Sequence, residues 1–90
     1  MAYTIYILYS EKDKNLYVGC TSDISDRFKR HKNGYVQSTK NRRPLVLIHT
    51  EMFQDKTLAF NRERFLKSLW GSREKKKLKD IFIKSHSILG

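Results

Sequence analysis

Residues 3–20, YTIYILYSEKDKNLYVGC, decide the fold. Strand side chains alternate with a period of two, so Tyr3, Ile5, Ile7 and Tyr9 fall on one side and Thr4, Tyr6 and Leu8 on the other. Both sides carry large or β-branched groups. The stretch 3–9 therefore reads as a central strand, covered on both faces. Residues 10–15 form a polar turn and residues 16–20 a second short strand. Two such runs joined by a short polar stretch predict an antiparallel hairpin.

The hairpin places two phenols together. Pairing Tyr6 with Tyr17 makes them direct neighbours; pairing Tyr6 with Gly19 makes them diagonal neighbours on the same face. Any register with an odd residue sum has this result. Packing is the ordinary meaning of two adjacent strand tyrosines.

Moving outward, Ser22 or Asp23 can cap a helix. Asp23 and Asp26 sit at its positive end, Ile24 and Phe28 supply the buried stripe, and Lys29, Arg30 and Lys32 crowd its last turns. Gly34 suits the C′ position. Arg27 and His31, four apart, project from one side, about 60° from the apolar stripe on a helix of 3.6 residues per turn. They lie at the edge of the buried face, where an arginine can pack its stem and reach a cleft. Residues 35–43 read as a polar, basic loop.

Residues 45–53 predict a third strand, with Val46, Ile48 and Thr50 alternating against Leu47 and His49. Asp55 can cap a second helix with an apolar face of Leu58, Ala59, Phe65, Leu66 and Leu69, ended by Trp70-Gly71. Ser72 can cap a last helix carrying Leu78, Ile81, Phe82 and Ile83. The expected class is α+β: a small three-stranded antiparallel sheet flanked by helices, in the order β-β-α-β-α-α. At 90 residues the whole chain, 1–90, is expected to form one domain.

Charge narrows the function. The chain holds 19 Lys and Arg against 9 Asp and Glu, a formal net charge of +10. Such a field attracts polyanions. Segment 62–84 carries nine of the basic residues against three acids. A solvated helix face and phosphate contact are equally good readings of its densest run, Arg73 to Lys79. No apolar stretch approaches the ~20 residues of a membrane span, and the start lacks the pattern of a signal peptide. No membrane role and a cytoplasmic location are expected. Cys20 is the only cysteine, which excludes an internal disulfide and argues against a thiolate zinc site.

Glu63 is the remaining residue of note. It lies beside the apolar row of the second helix, where a carboxylate needs a partner. Lys67 at i+4 is the everyday partner. A divalent cation is the sharper one, since carboxylate oxygen suits Mg²⁺ or Mn²⁺.

Thr4-Ile5-Tyr6 followed by Tyr17-Val18-Gly19 resembles the paired signature of the GIY-YIG nuclease superfamily. Gly19-Cys20-Thr21, then Ile24, Arg27, Phe28 and His31, is similar to that family's stretch after the second signature, and Glu63 resembles its metal-binding glutamate. The resemblance spans nearly the whole chain and is nearest to compact bacterial members; relatives include the N-terminal nuclease domain of UvrC. It departs at Thr4, Val18 and Cys20. It implies a metal-dependent endonuclease that hydrolyses phosphodiester bonds in nucleic acid, with DNA in repair or recombination as the first expectation and RNA left open. It also implies catalytic roles for Tyr6, Tyr17, Arg27, His31 and Glu63. Glu63 would hold one Mg²⁺ or Mn²⁺ ion and Arg27 would stabilise charge on the phosphate. Tyr6 would orient or deprotonate the water, its pKa lowered by Arg27 and the metal; Tyr17 and His31 would complete the chain, with His31 as the alternative base. Lys40, Arg42, Arg43, Lys67, Arg73, Lys75 and Lys76 are candidate nucleic-acid contacts. Two alternatives stand beside this reading: a nucleic-acid-binding module that cuts little, and a nuclease subunit directed by a partner protein.

Overall fold

A computed structural model of the chain describes the backbone of residues 2–89 and the side chains of residues 2–85. The elements are β1 (Tyr3–Ser10), β2 (Leu16–Thr21), α1 (Ile24–Lys32), a short 3-10 turn at Lys40–Arg42, β3 (Leu45–Phe53), α2 (Lys56–Lys67), a second 3-10 turn at Leu69–Gly71, and α3 (Ser72–Leu89). The fold is α+β, with one antiparallel sheet in the order β2-β1-β3.

The central position of β1 follows from its two apolar sides, and every residue from Thr4 to Ser10 is buried. Ile5 and Ile7 pack with Val18, Ala59 and Leu66 under α2 and α3. Tyr6 and Leu8 pack on the opposite face with Leu45 and the half-buried Tyr17, Ile24 and Phe28, under α1. The hairpin pairs Tyr6 with Gly19 and Leu8 with Tyr17, so the two phenols are diagonal neighbours on the α1 face.

Three local readings are corrected. In β3 the simple alternation fails. Ile7 pairs with His49 but Leu8 pairs with Leu47, so Ile48 is an extra, bulged residue. The bulge lets Leu45 and Leu47 face α1 while Ile48 and Phe53 pack on the α2 side. In α2 only Ala59 and Leu66 are buried, and Leu58 and Phe65 face out. Arg62 sets this rotation. It bonds both oxygens of Glu51 on β3 at 2.7 and 2.9 Å and Glu74 of α3 at 2.7 Å. Leu69 lies beyond the end of α2 and is exposed. In α3, Ser72 is the first helical residue, and its Oγ donates to the Leu69 carbonyl instead of capping. Leu78 and Phe82 face the protein, Phe82 against the Tyr9 ring, whereas Ile81 and Ile83 are exposed.

The caps behave as their side chains dictate. Asp23 accepts from the Asp26 amide at 3.1 Å, and Asp55 from the Thr57 amide at 2.7 Å. Gly34 follows α1 with φ of +83°, the left-handed conformation of a C′ residue. The loop 35–43 is less polar in its packing than its composition suggests, since Val36 and Thr39 are buried.

Leu66 is fully buried where α2 meets the sheet. Leu66→Ala should lower unfolding stability by about 2–5 kcal/mol. Urea unfolding should show this as a lower midpoint at unchanged slope.

Candidate active site

Four side chains from three elements meet on the α1 face of the sheet. Tyr6 points from the middle of β1 across β2, over the α-carbon of Gly19. A β-carbon at residue 19 would overlap the phenol's Cζ and hydroxyl, so only glycine leaves room for the ring. The Tyr6 hydroxyl lies 2.9 Å from His31 Nε2 and accepts from Arg27 Nε at 3.3 Å. Tyr17 completes the group: its ring centroid is 6.3 Å from that of Tyr6 and 5.1 Å from that of His31.

His31 is more deeply placed than the edge of a helix face suggests. It is 0% exposed and is the buried residue of α1. Its Nδ1 lies 2.7 Å from Thr39 Oγ1, also fully buried. One proton arrangement satisfies each group with the partners present: Arg27 donates to the Tyr6 oxygen, Tyr6 O–H donates to His31 Nε2, and His31 Nδ1–H donates to Thr39. Among the described residues no buried side-chain polar atom lacks a partner. Thr39 escaped the sequence reading because it lies in an aperiodic loop. Its only signal is its place eight residues after His31, where the chain leaving Gly34 turns back.

The electrostatics differ from the expectation for Tyr6. Burial pushes the Tyr6 phenol above its ordinary pKa, and the hydrogen bond from Arg27 offsets this only in part. Arg27 alone therefore does not make Tyr6 a ready base. Tyr6 is also only 1% exposed, while Tyr17 is half-buried. Burial, then the nearby Arg27 charge, lowers His31 to about 4, so its imidazole is neutral at neutral pH. Arg27 is held above its ordinary value, chiefly by its bond to Tyr6.

Glu63 lies on α2, which packs on the other face of the sheet and against β2. Its side chain is 18% exposed and pairs with Lys67 at 3.1 Å. Its charge is felt by Cys20 on β2 and by Tyr6, which puts it within electrostatic reach of the cluster. Among the described residues no group of three His, Cys, Asp or Glu side chains could enclose a metal ion. A single carboxylate at a half-open edge still fits Mg²⁺ or Mn²⁺, because such ions keep several waters and take further oxygens from a phosphate.

The candidate nucleic-acid contacts come from the loop after α1 and from α2 and α3, and Arg42 donates to the Leu16 carbonyl at 3.4 Å, beside the depression lined by Lys75 and Lys76. Lys67 is tied to Glu63. Arg42 is held by Asp13 at 2.7 Å, and Arg43 donates to the Lys40 carbonyl. Lys75 and Lys76 line a shallow depression with Lys79, Asn15 and Leu16, at the far end of β2, and Arg73 lies nearby on α3. The basic face of α3 thus flanks the start of the edge strand, and Glu63 flanks its end, roughly 15 Å away at 3.3 Å per residue.

These features define a class. The chain belongs to the GIY-YIG catalytic domain family, whose family model matches residues 2–79. That domain is a nuclease fold. The chain is similar to a UPF0213 protein of Staphylococcus saprophyticus, 44% identical over 73 residues, covering 80% of this chain and 85% of that protein. It is likewise similar to the UPF0213 protein YazA of Bacillus subtilis, 41% identical, covering 74% of this chain and 67% of that one. A solution NMR structure of a UPF0213 protein from Bacillus halodurans matches with a TM-score of 0.54 at 32% identity, covering 90% of this chain and 85% of that chain. No helix among the described residues is long and apolar enough to cross a membrane.

His31 yields a pH prediction. Its folded pKa, about 4, lies below the ordinary value of 6.5, so the unfolded chain binds the proton first as pH falls. The stabilisation is present above about pH 6.5 and is lost toward pH 4, at up to about 1.4 kcal/mol per pH unit. NMR titration of the imidazole should give a midpoint near 4. In His31→Gln the same pH window should show a shallower loss of stability.

Proposed function

We propose that the chain is a metal-dependent endonuclease that hydrolyses phosphodiester bonds in nucleic acid, with DNA in repair or recombination as its setting. One observation carries the reading: Arg27, Tyr6 and His31 are joined by hydrogen bonds beside Tyr17, with Glu63 within electrostatic reach. Family membership supports it, and the net charge of +10 suits a polyanionic substrate.

The side chains divide the work. Arg27 donates its Nε–H to Tyr6 and also interacts with Tyr17, and its five-donor guanidinium has N–H groups beyond these. Those donors suit the non-bridging phosphate oxygens as charge builds during attack. Tyr17, the more exposed phenol, orients the attacking water. Tyr6 stands behind it, its O–H placed to donate to neutral His31 while its oxygen accepts from Arg27, and Thr39 meets the other imidazole nitrogen. The water oxygen bonds to phosphorus, the water gives up a proton to solvent, the P–O bond to the leaving oxygen breaks, and that oxygen takes a proton from solvent. A divalent cation held by Glu63 would supply Lewis-acid neutralisation of the phosphate.

A second reading has its own observation. Glu63 already has a partner in Lys67, as in a protein that binds nucleic acid without cutting it or that is directed by another protein. Glu63→Gln separates the two. On a panel of DNA and RNA substrates with Mg²⁺ or Mn²⁺ it should abolish cleavage, as chelator should, while metal-free binding stays equal or tightens slightly. Arg27→Ala should slow cleavage about 10²–10³-fold with a modest loss of binding. Full cleavage by a folded Glu63→Gln protein would defeat the catalytic assignment. It would leave Glu63 as half of a helix-surface pair contributing about 0.3–0.5 kcal/mol.

Binding should also weaken steeply with salt, with a log–log slope of about −0.9 per phosphate neutralised on duplex DNA. A flat salt dependence of the dissociation constant would remove nucleic acid as the partner.

A further inference from the structure

The short turn between α2 and α3 holds two large apolar side chains out in solvent. Leu69 is 90% exposed and Trp70 is 84% exposed. Side chains this apolar are ordinarily withdrawn from water, and an exposed pair marks a contact surface.

The turn is firmly built. Gly71 sits so close to α2 that a β-carbon there would overlap the Phe65 carbonyl and the Leu66 α-carbon. The Gly71 amide bonds the Ser68 carbonyl at 3.2 Å, Ser68 Oγ bonds the Phe65 carbonyl, and Ser72 Oγ bonds the Leu69 carbonyl at 2.6 Å. Leu69 and Trp70 are thus presented by backbone locked against the buried Leu66.

The surroundings indicate the occupant. Arg64 and Lys67 precede the turn and Arg73, Lys75, Lys76 and Lys77 follow it, a setting hostile to a basic partner and suited to a polyanion. In the chain the turn lies between Glu63 and the basic start of α3. By helix rise and chain reach, Trp70 is at most about 17 Å from Glu63 between α-carbons. An aromatic ring beside cationic side chains is how proteins hold an unstacked base, and a leucine next to it suits a wedge between bases.

We propose that Trp70, backed by Leu69, stacks on an unpaired nucleobase next to the cleavage site. The protein would then select nucleic acid with single-stranded or frayed segments over fully paired duplex. This rests on the nucleic-acid reading above and adds a substrate class to it.

Trp70 is the only tryptophan, so its emission reports on this turn alone. The test uses the full chain in low salt with chelator. A labelled single-stranded oligonucleotide and the blunt duplex of the same sequence are each titrated, with label anisotropy reporting binding and tryptophan emission reporting stacking. The single strand should quench Trp70 in step with binding, and the duplex should quench it less. Trp70→Ala should weaken single-strand binding about 5- to 150-fold, the scale of one lost base stack. Trp70→Phe should keep most of the affinity. An exposed residue can be exchanged without loss of the core, and circular dichroism of both variants checks this.

Binding of the single strand with unchanged emission would overturn the inference and leave the nucleic-acid reading standing. So would an emission change that follows protein concentration alone and accompanies a doubled mass in sedimentation, which would assign the turn to a second copy of the chain. No binding of either oligonucleotide would overturn both.

Discussion

The placement of the Tyr6 phenol is the constraint on which the site depends. The ring crosses from the central strand over Gly19, and its hydroxyl meets Arg27 and His31 of α1. A buried phenol must find partners, and these come from a single helix. Tyr6 therefore fixes where α1 docks and how it is rotated. The same contact explains why a nine-residue helix can bury its histidine: the core face of α1 is part apolar, through Ile24 and Phe28, and part polar, through the bonded His31.

The other face of the sheet has its own polar anchor. Arg62 joins β3 to both α2 and α3 through Glu51 and Glu74. The hydrogen bonds from Arg62 hold the Glu51 carboxyl down to about 2. This anchor rotates α2 so that Ala59 and Leu66 meet the sheet and Glu63 emerges beside β2. The two halves of the proposed chemistry thus come from opposite faces of the sheet, with Glu63 within electrostatic reach of the Tyr6 cluster.

Burial divides the labour within the site. Tyr6 and His31 are shut away from water, which keeps both neutral at neutral pH and suits them to hold Arg27 in place by hydrogen bonds. Tyr17, Arg27 and Glu63 retain exposure and can meet a substrate. The basic residues Lys75, Lys76 and Lys79 of α3 flank the start of the edge strand β2, and in the proposed function they would grip nucleic acid.

Much of this was legible in the residues themselves. The two-sided apolar pattern of residues 3–9 set the central strand, and parity in the hairpin brought Tyr6 and Tyr17 to one face whichever of the two registers formed. The caps at Asp23 and Asp55 and the glycine after α1 marked the helix ends, because those signals are local and act through the backbone beside them. The bulge at Ile48, the rotation of α2 and the exposure of Leu69 were not legible. Each depends on a partner distant in the chain: the β1 ladder for Ile48, and Glu51 and Glu74 for Arg62. The sequence alone determined the elements and the cast of side chains. Only the tertiary structure decided that His31 is buried and neutral, that Thr39 stands behind it and that Tyr6 is closed off from water, since burial and its effect on charge arise only once separate elements pack together.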